Sequence, residues 1–157
     1  MKKILLAIVT LSVLIFALSG CGVFSSPELG KVWNADGGAN IVTAFDPLAV
    51  GAYSLEIKLE FGGIWDSNKV KAGTVEFGPA VVTEERIDVT NPKYTVVDGT
   101  YDPTTKLLQL NCEENSNKSK ITVRGRVTNK DEIKSGDGFI YKSSDKNNSI
   151  GTFTANK

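Results

Sequence analysis

Histidine is absent from this chain of 157 residues, and cysteine occurs only twice, as Cys21 and Cys112. Without histidine the chain lacks the usual general base of enzymes and the commonest metal ligand. Basic and acidic side chains number 18 each, so the formal net charge is zero. Nucleic-acid-binding domains carry a basic surface, which this composition does not provide. We therefore expect no metal, no cofactor and no nucleic-acid partner.

Long hydrophobic runs are also missing, apart from one at the start of the chain. Lys2 and Lys3 precede an apolar stretch over residues 4–18, which only Thr10 and Ser12 interrupt. A helix of that length rises about 22 Å, short of the roughly 30 Å hydrocarbon core of a bilayer. A positive start, a short apolar stretch and small residues after it are typical of a cleavable secretory signal, so residues 1–20 are predicted to be a signal peptide.

The residues that end this stretch, Leu18-Ser19-Gly20-Cys21, resemble the lipobox of bacterial lipoproteins. The resemblance implies that Cys21 receives a diacylglyceryl group, that the peptide is cut just before it, and that the new amino terminus is often acylated, for example with palmitate. Two or more acyl chains anchor a protein stably, because each buried methylene contributes about 0.8 kcal/mol. We expect Cys21 to be the lipidation site that holds the protein in the cell envelope. The alternatives are an uncleaved helix, or an ordinary signal followed by an incidental cysteine.

A short tether and one domain are expected after the signal. Residues 21–30 are rich in serine, glycine and proline and predict a lipidated tether, which extends on the order of 30 Å at most. Residues 31–157 suffice for one domain and are too few for two. In lipoproteins, a residue such as Gly22 after the cysteine is associated with the outer membrane where the host has two membranes.

From residue 31 onward, apolar and polar residues alternate, which predicts strands rather than helices. In residues 54–61, Leu55, Ile57 and Leu59 share one face, while Glu56, Lys58 and Glu60 share the other. Such patterning is typical of antiparallel sheets with one solvated face. Turn-forming residues are expected to separate the strands at residues 36–38, 61–63, 91–92, 102–105, 115–117, 136–138 and 145–148.

The alternating runs predict eight or nine strands. The first is a short one near Val32 or Ile41, and the others cover residues 54–61, 70–77, 81–89, 94–101, 107–113, 120–128, 133–141 and 149–155. Sequential strands with short connections form a meander, and about eight of them close into a small barrel. We predict an all-β antiparallel barrel, with a β-sandwich as the alternative.

Four glycines recur at a spacing of 26 residues: Gly73, Gly99, Gly125 and Gly151. Each shares its predicted face with apolar neighbours, namely Val75 and Phe77, Val97 and Tyr101, Val123 and Val127, and Phe153 and Ala155. This predicts a weak internal repeat with a core-facing glycine on every second strand, where the missing side chain lets the sheet coil. The alternative is four turn glycines spaced by chance.

Small ligand-binding barrels of the lipocalin and avidin kind often begin with a glycine, a spacer and a tryptophan that closes the barrel floor. Gly30-Lys31-Val32-Trp33 resembles this motif in position, with two spacers instead of one, and Gly63-Ile64-Trp65 matches its spacing after the second strand. The resemblance implies a barrel architecture. Trp33 is expected to pack in the core, as buried tryptophan ordinarily does.

No set of residues predicts catalysis. The adjacent carboxylates at 84–85, 113–114 and 131–132 face opposite sides of a strand, so they are interpreted as solvated turns. Cys112 alternates with Leu108 and Leu110 and is expected to be a core residue. Ser143-Ser144-Asp145-Lys146 matches Ser-x-x-Lys, but the other lactamase-type motifs are missing, so it too is interpreted as a solvated turn. We expect the protein not to be an enzyme.

Two functions remain open for a membrane-anchored barrel of the envelope. The first is binding of a small apolar ligand in the barrel interior or mouth. The second is a structural or protein-interaction role with a filled core. An interior packed by Trp33, Phe77, Tyr101 and Phe153 would favour the second.

Overall fold

The structure, a computed structural model, describes residues 28–63, 66–78 and 91–157. Within them the chain forms the strands β1 (Val32–Ile41), β2 (Gly51–Phe61), β3 (Val70–Phe77), β4 (Lys93–Asp102), β5 (Leu107–Glu114), β6 (Lys120–Val127), β7 (Glu132–Lys142) and β8 (Asp145–Asn156). Each strand pairs with the next, and β1 pairs antiparallel with β8 to close the barrel. The predicted all-β barrel is confirmed and the sandwich does not form. The strand predicted at residues 81–89 lies outside the described residues.

β2 illustrates how alternation determines the inner and outer faces of the wall. Leu55, Ile57 and Leu59 are buried, whereas Lys58 between them is exposed. The apolar side chains line the interior of the closed barrel, and the polar side chains face outward. Among the described residues there is no helical segment that could span a bilayer.

β1 is one continuous strand, so the turn predicted at residues 36–38 is wrong. Asp36 and Gly37 pair with Glu56 and Leu55 on one side and with β8 on the other. A Cβ atom at Gly37 would collide with the backbone carbonyl of Thr154. This glycine therefore permits close approach of two strands instead of forming a turn.

A bulge in β4 changes which valine faces the core. The register with β5 shifts between Val96 and Asp98, and Val97 takes up the extra residue. As a result Val97 is 69% exposed while Val96 is only 8% exposed. The prediction that Val97 shares the inner face with Gly99 is wrong, because a bulge inverts the alternation on one side of it.

β7 contains the turn-like residues 136–138 without ending there. Ile133 pairs with Ala155 and Phe139 pairs with Thr152, and the intervening residues form an irregularity in the strand. Gly136 has a φ of 87°, a left-handed conformation that suits glycine. The turn between β7 and β8 lies instead at residues 143–144, so β8 begins within the predicted turn at 145–148.

The barrel has two ends, which we call lower and upper. Among the described residues, the lower end carries the loop segments at 62–63, 66–69, 103–106 and 128–131, and the upper end carries those at 42–50, 115–119 and 143–144. Leu29 is 2% exposed beside the first residues of β1, and Glu28 forms an ion pair with Lys106. The chain therefore joins the barrel at the lower end. At the upper end, Leu48 is buried and the Tyr53 hydroxyl donates to the Ala49 carbonyl at 2.8 Å.

Candidate functional site

The barrel interior is filled by large side chains. Trp33, Phe77, Tyr101 and Phe153 are all buried, with at most 4% of each exposed. Phe77 makes edge-to-face contacts with Tyr53 and Tyr94, at ring-centroid distances of 6.0 Å and 5.8 Å. An eight-stranded barrel is just wide enough for side chains to fill it. These aromatic residues therefore occupy the space that an interior ligand would need.

The four evenly spaced glycines lie on β3, β4, β6 and β8. A Cβ atom would lie 2.7 Å from Cδ2 of Leu59 at Gly73, 2.9 Å from Cδ2 of Leu110 at Gly99, 2.7 Å from Cδ1 of Ile133 at Gly125, and 2.8 Å from Cδ1 of Ile41 at Gly151. The side chain of a neighbouring core residue thus occupies the space beside each glycine. The prediction of a glycine on every second strand assumed a further strand at 81–89 between the strands of Gly73 and Gly99. In the described structure these two strands, β3 and β4, are neighbours.

Cys112 is a core residue with an unreactive thiol. It is 2% exposed, on the same face of β5 as Leu108 and Leu110. Burial raises the pKa of the Cys112 thiol to about 12. Since the thiolate is the nucleophile and the metal ligand, this cysteine is suited to neither role near neutral pH.

Glu114 is buried, which the sequence interpretation missed. Its neighbour Glu113 faces outward and forms ion pairs with Lys118 and Lys120. Glu114 is only 4% exposed and accepts hydrogen bonds from Asn117 N at 2.6 Å, Ser116 N at 2.7 Å and Ser116 Oγ at 2.8 Å. Burial by itself would raise the pKa of Glu114, but these bonds outweigh it and hold the pKa below its usual value. The carboxylate is therefore structural, because it orders the turn after β5.

The other candidate residues form no catalytic arrangement in the described part of the chain. Ser143 and Ser144 form the turn before β8, and Lys146 is exposed. The Asp145 carboxylate accepts hydrogen bonds from Asn148 Nδ2 at 2.9 Å and Asn147 N at 3.1 Å, which lower its pKa. Asp131 forms an ion pair with Lys157. No group of three metal-ligating side chains is found among the residues described, and Cys21, Trp65 and residues 84–85 lie outside them.

A groove of about 500 Å³ crosses the outer face of β1 to β4. Leu59, Gly73 and Val96 form its apolar floor. Lys58, Glu60 and Lys71 are among the polar residues that line its sides. The groove forms because β3 and β4 pair over only three residues. The last of these pairs is Thr74 with Thr95, and β4 bulges at Val97, two residues further along. The small residues Ala72 and Gly73 were the sequence signal for this groove.

The outer face of β5 to β7 carries a second arrangement, which we call the arginine–aromatic patch and define as Gln109, Arg124, Arg126, Phe139 and Tyr141. The rings of Phe139 and Tyr141 are half-buried, with centroids 6.3 Å apart. The Arg124 guanidinium lies 5.5 Å from the centre of the Tyr141 ring, and its Nε donates to Gln109 Oε1 at 3.2 Å. Because Val123, Gly125 and Val127 are predicted to face inward, alternation puts Arg124 and Arg126 on the outer face. The irregularity in β7 breaks the alternation there, so the sequence did not indicate that Phe139 and Tyr141 also face outward.

Comparison with known proteins finds no matching family, no similar characterised protein and no similar solved structure.

Proposed function

We propose that this protein is a lipoprotein of the bacterial cell envelope, anchored through Cys21, whose barrel acts as an interaction module through its outer surface. The observation that carries the proposal is the filled interior. Trp33, Phe77, Tyr101 and Phe153 occupy the core with at most 4% of each exposed, so recognition takes place on the outside of the wall.

The anchor is supported by the motif Leu18-Ser19-Gly20-Cys21 and by the short segment that follows it. Seven peptide links separate Cys21 from Glu28, a span of about 25 Å at most. Glu28 and Leu29 are held against the barrel by the Lys106 ion pair and by burial. A lipid on Cys21 would thus keep the domain close to the membrane surface.

A second candidate function, binding of a small apolar ligand, is favoured by the outer groove. Its volume of about 500 Å³ falls in the range of small-molecule sites, and its floor is apolar. A ligand there would lie between Lys58 and Lys71 on the outside of the barrel. This differs from a lipocalin-like site, which lies within the barrel.

Titration with the apolar fluorescent probe ANS separates these functions. The variant Ala72→Trp places a large ring in the groove, and Ala52→Trp makes the same substitution on the exposed outer face of β2, away from the groove, as a matched control. Absence of saturable uptake by the wild type supports the interaction module. Saturable uptake that Ala72→Trp abolishes and Ala52→Trp preserves supports the outer ligand site. Uptake that both variants and Arg126→Gln preserve contradicts the filled interior and overturns the proposal.

A further inference from the structure

We propose that the arginine–aromatic patch binds a glycan that carries anionic groups. The inference names a partner for the outer surface and so rests on the function proposed above. It is drawn from three properties of the patch: a pair of half-buried aromatic rings on the outer face, two arginines without ion-pair partners in the described residues, and a surround of neutral hydrogen-bonding side chains.

The aromatic pair supplies a stacking surface. Phe139 and Tyr141 are two residues apart on β7, so their side chains point to the same, outer face. Their ring centroids are 6.3 Å apart with an angle of 41° between the ring planes. Sugar rings present C–H groups on their faces, which pack against aromatic rings, while the Tyr141 hydroxyl adds a polar end. Phe139 can thus pack against a sugar ring, while the Tyr141 hydroxyl and the Arg124 guanidinium over the Tyr141 ring lie beside it.

The arginines supply charge complementarity. Arg124 is held over Tyr141 by a cation–π contact and by its bond to Gln109, which leaves the terminal guanidinium nitrogens available. Arg126 is exposed on the same face of β6. Neither arginine forms an ion pair with any residue in the ranges that the structure describes. The planar guanidinium matches the geometry of carboxylate and phosphate groups, so the complementary substituent is one of these.

The surroundings favour a glycan over other anionic polymers. On the flanking strand β8, Ser149 and Thr152 lie opposite Tyr141 and Phe139, and on β5 the partly exposed Asn111 lies two residues from Gln109 on the same face. Such hydroxyl and amide groups suit a polyol. The net charge of zero provides no basic footprint for nucleic acid. The patch lies within paired strands, away from any free edge that a peptide could extend.

The test is affinity electrophoresis of the full-length protein in detergent micelles through gels that contain a dissolved polymer. The polymers are polygalacturonate, a phosphomannan, neutral dextran, poly-glutamate and single-stranded oligo-dT. We expect retardation by polygalacturonate or phosphomannan, weakened by added salt because the contact is ionic. Dextran, poly-glutamate and oligo-dT are expected to cause none.

Variants locate the binding. Tyr141→Ala and Arg126→Gln are expected to raise the dissociation constant about tenfold each. The matched controls Val97→Ala and Lys58→Gln, on the outer faces of β4 and β2, should leave it unchanged. Circular dichroism verifies that each variant remains folded.

Three outcomes overturn the inference: no retardation by either acidic polysaccharide, equal retardation by dextran, poly-glutamate or oligo-dT, or binding that folded patch variants retain. If the polysaccharides fail while ANS stays out of the barrel, the inference fails and the proposed function stands. Saturable ANS uptake by the interior would remove the proposed function instead.

Discussion

Replacement of Gly125 by alanine is expected to lower the free energy of unfolding by about 1–2 kcal/mol. The added methyl carbon would lie 2.7 Å from Cδ1 of Ile133 and 3.0 Å from Cζ of Phe153. Carbon atoms pack best at about 3.5–4.0 Å, so the methyl overlaps Ile133 by about 0.8 Å. Overpacking of this kind typically costs about 1–3 kcal/mol, and the reduced entropy of the unfolded chain returns about 0.4–1 kcal/mol.

Urea unfolding monitored by tryptophan fluorescence measures the change. Gly63→Ala is the matched control, because no atom lies within 4 Å of the position of its added Cβ. That variant should remain within about 0.5 kcal/mol of the wild type. For a domain of this size, the expected loss at Gly125 corresponds to a melting temperature lower by about 5 °C.

A double-mutant cycle tests whether the Ile133 contact is the cause. Ile133→Val removes Cδ1, the atom nearest to the added methyl group, and by itself should cost about 0.5–1.5 kcal/mol. In the double variant the combined loss should be smaller than the sum by about 0.5 kcal/mol or more. Additive losses, or a Gly125→Ala protein as stable as the Gly63→Ala control, would refute the view that this glycine faces a filled core.

Three further predictions concern the cysteines and Glu114. Cys21→Ala should move the protein from the detergent phase to the aqueous phase in a Triton X-114 partition, and continued detergent partitioning would contradict the proposed lipid anchor. The Cys112 thiol should react with DTNB at pH 8 only after unfolding in urea, because burial raises its pKa to about 12, and rapid reaction of the folded protein would contradict this. Because its folded pKa lies below the ordinary 4.5, Glu114 should stabilise the fold above that pH and lose this contribution as the pH falls through the folded value. Glu114→Gln should therefore cost about 1–2 kcal/mol at pH 7 and little at pH 2, as measured by urea unfolding at both pH values.

The sequence predicted the barrel because most strands of the wall carry a clear inner and outer face. β2 and β5 alternate without interruption, so Leu55 and Leu108 could be placed inside from the pattern alone. The pattern fails at irregularities. A single extra residue inverted the face of Val97, and the deformation in β7 concealed the outward direction of Phe139 and Tyr141.

Turn chemistry was a weaker guide, since the same residue types serve several purposes. Gly37 follows an aspartate as in a turn, yet it lies in mid-strand where β8 approaches too closely for a side chain. Glu114 resembled a solvated charge, but Ser116 and Asn117 bond to it from the turn that follows. The patch depends on cross-strand neighbours, which a single sequence does not reveal: Gln109, Arg124 and Phe139 are adjacent only after β5, β6 and β7 pair.

The burial of Leu29 and the ion pair of Glu28 with Lys106 determine how the molecule would stand in the envelope. With the proposed lipid on Cys21, the lower end of the barrel would lie nearest to the membrane, because the chain joins the barrel there. The loop that contains Leu48 and the turn ordered by Glu114 would then point away from the bilayer. The arginine–aromatic patch would face sideways, parallel to the membrane plane, towards whatever polymer fills the space beside it.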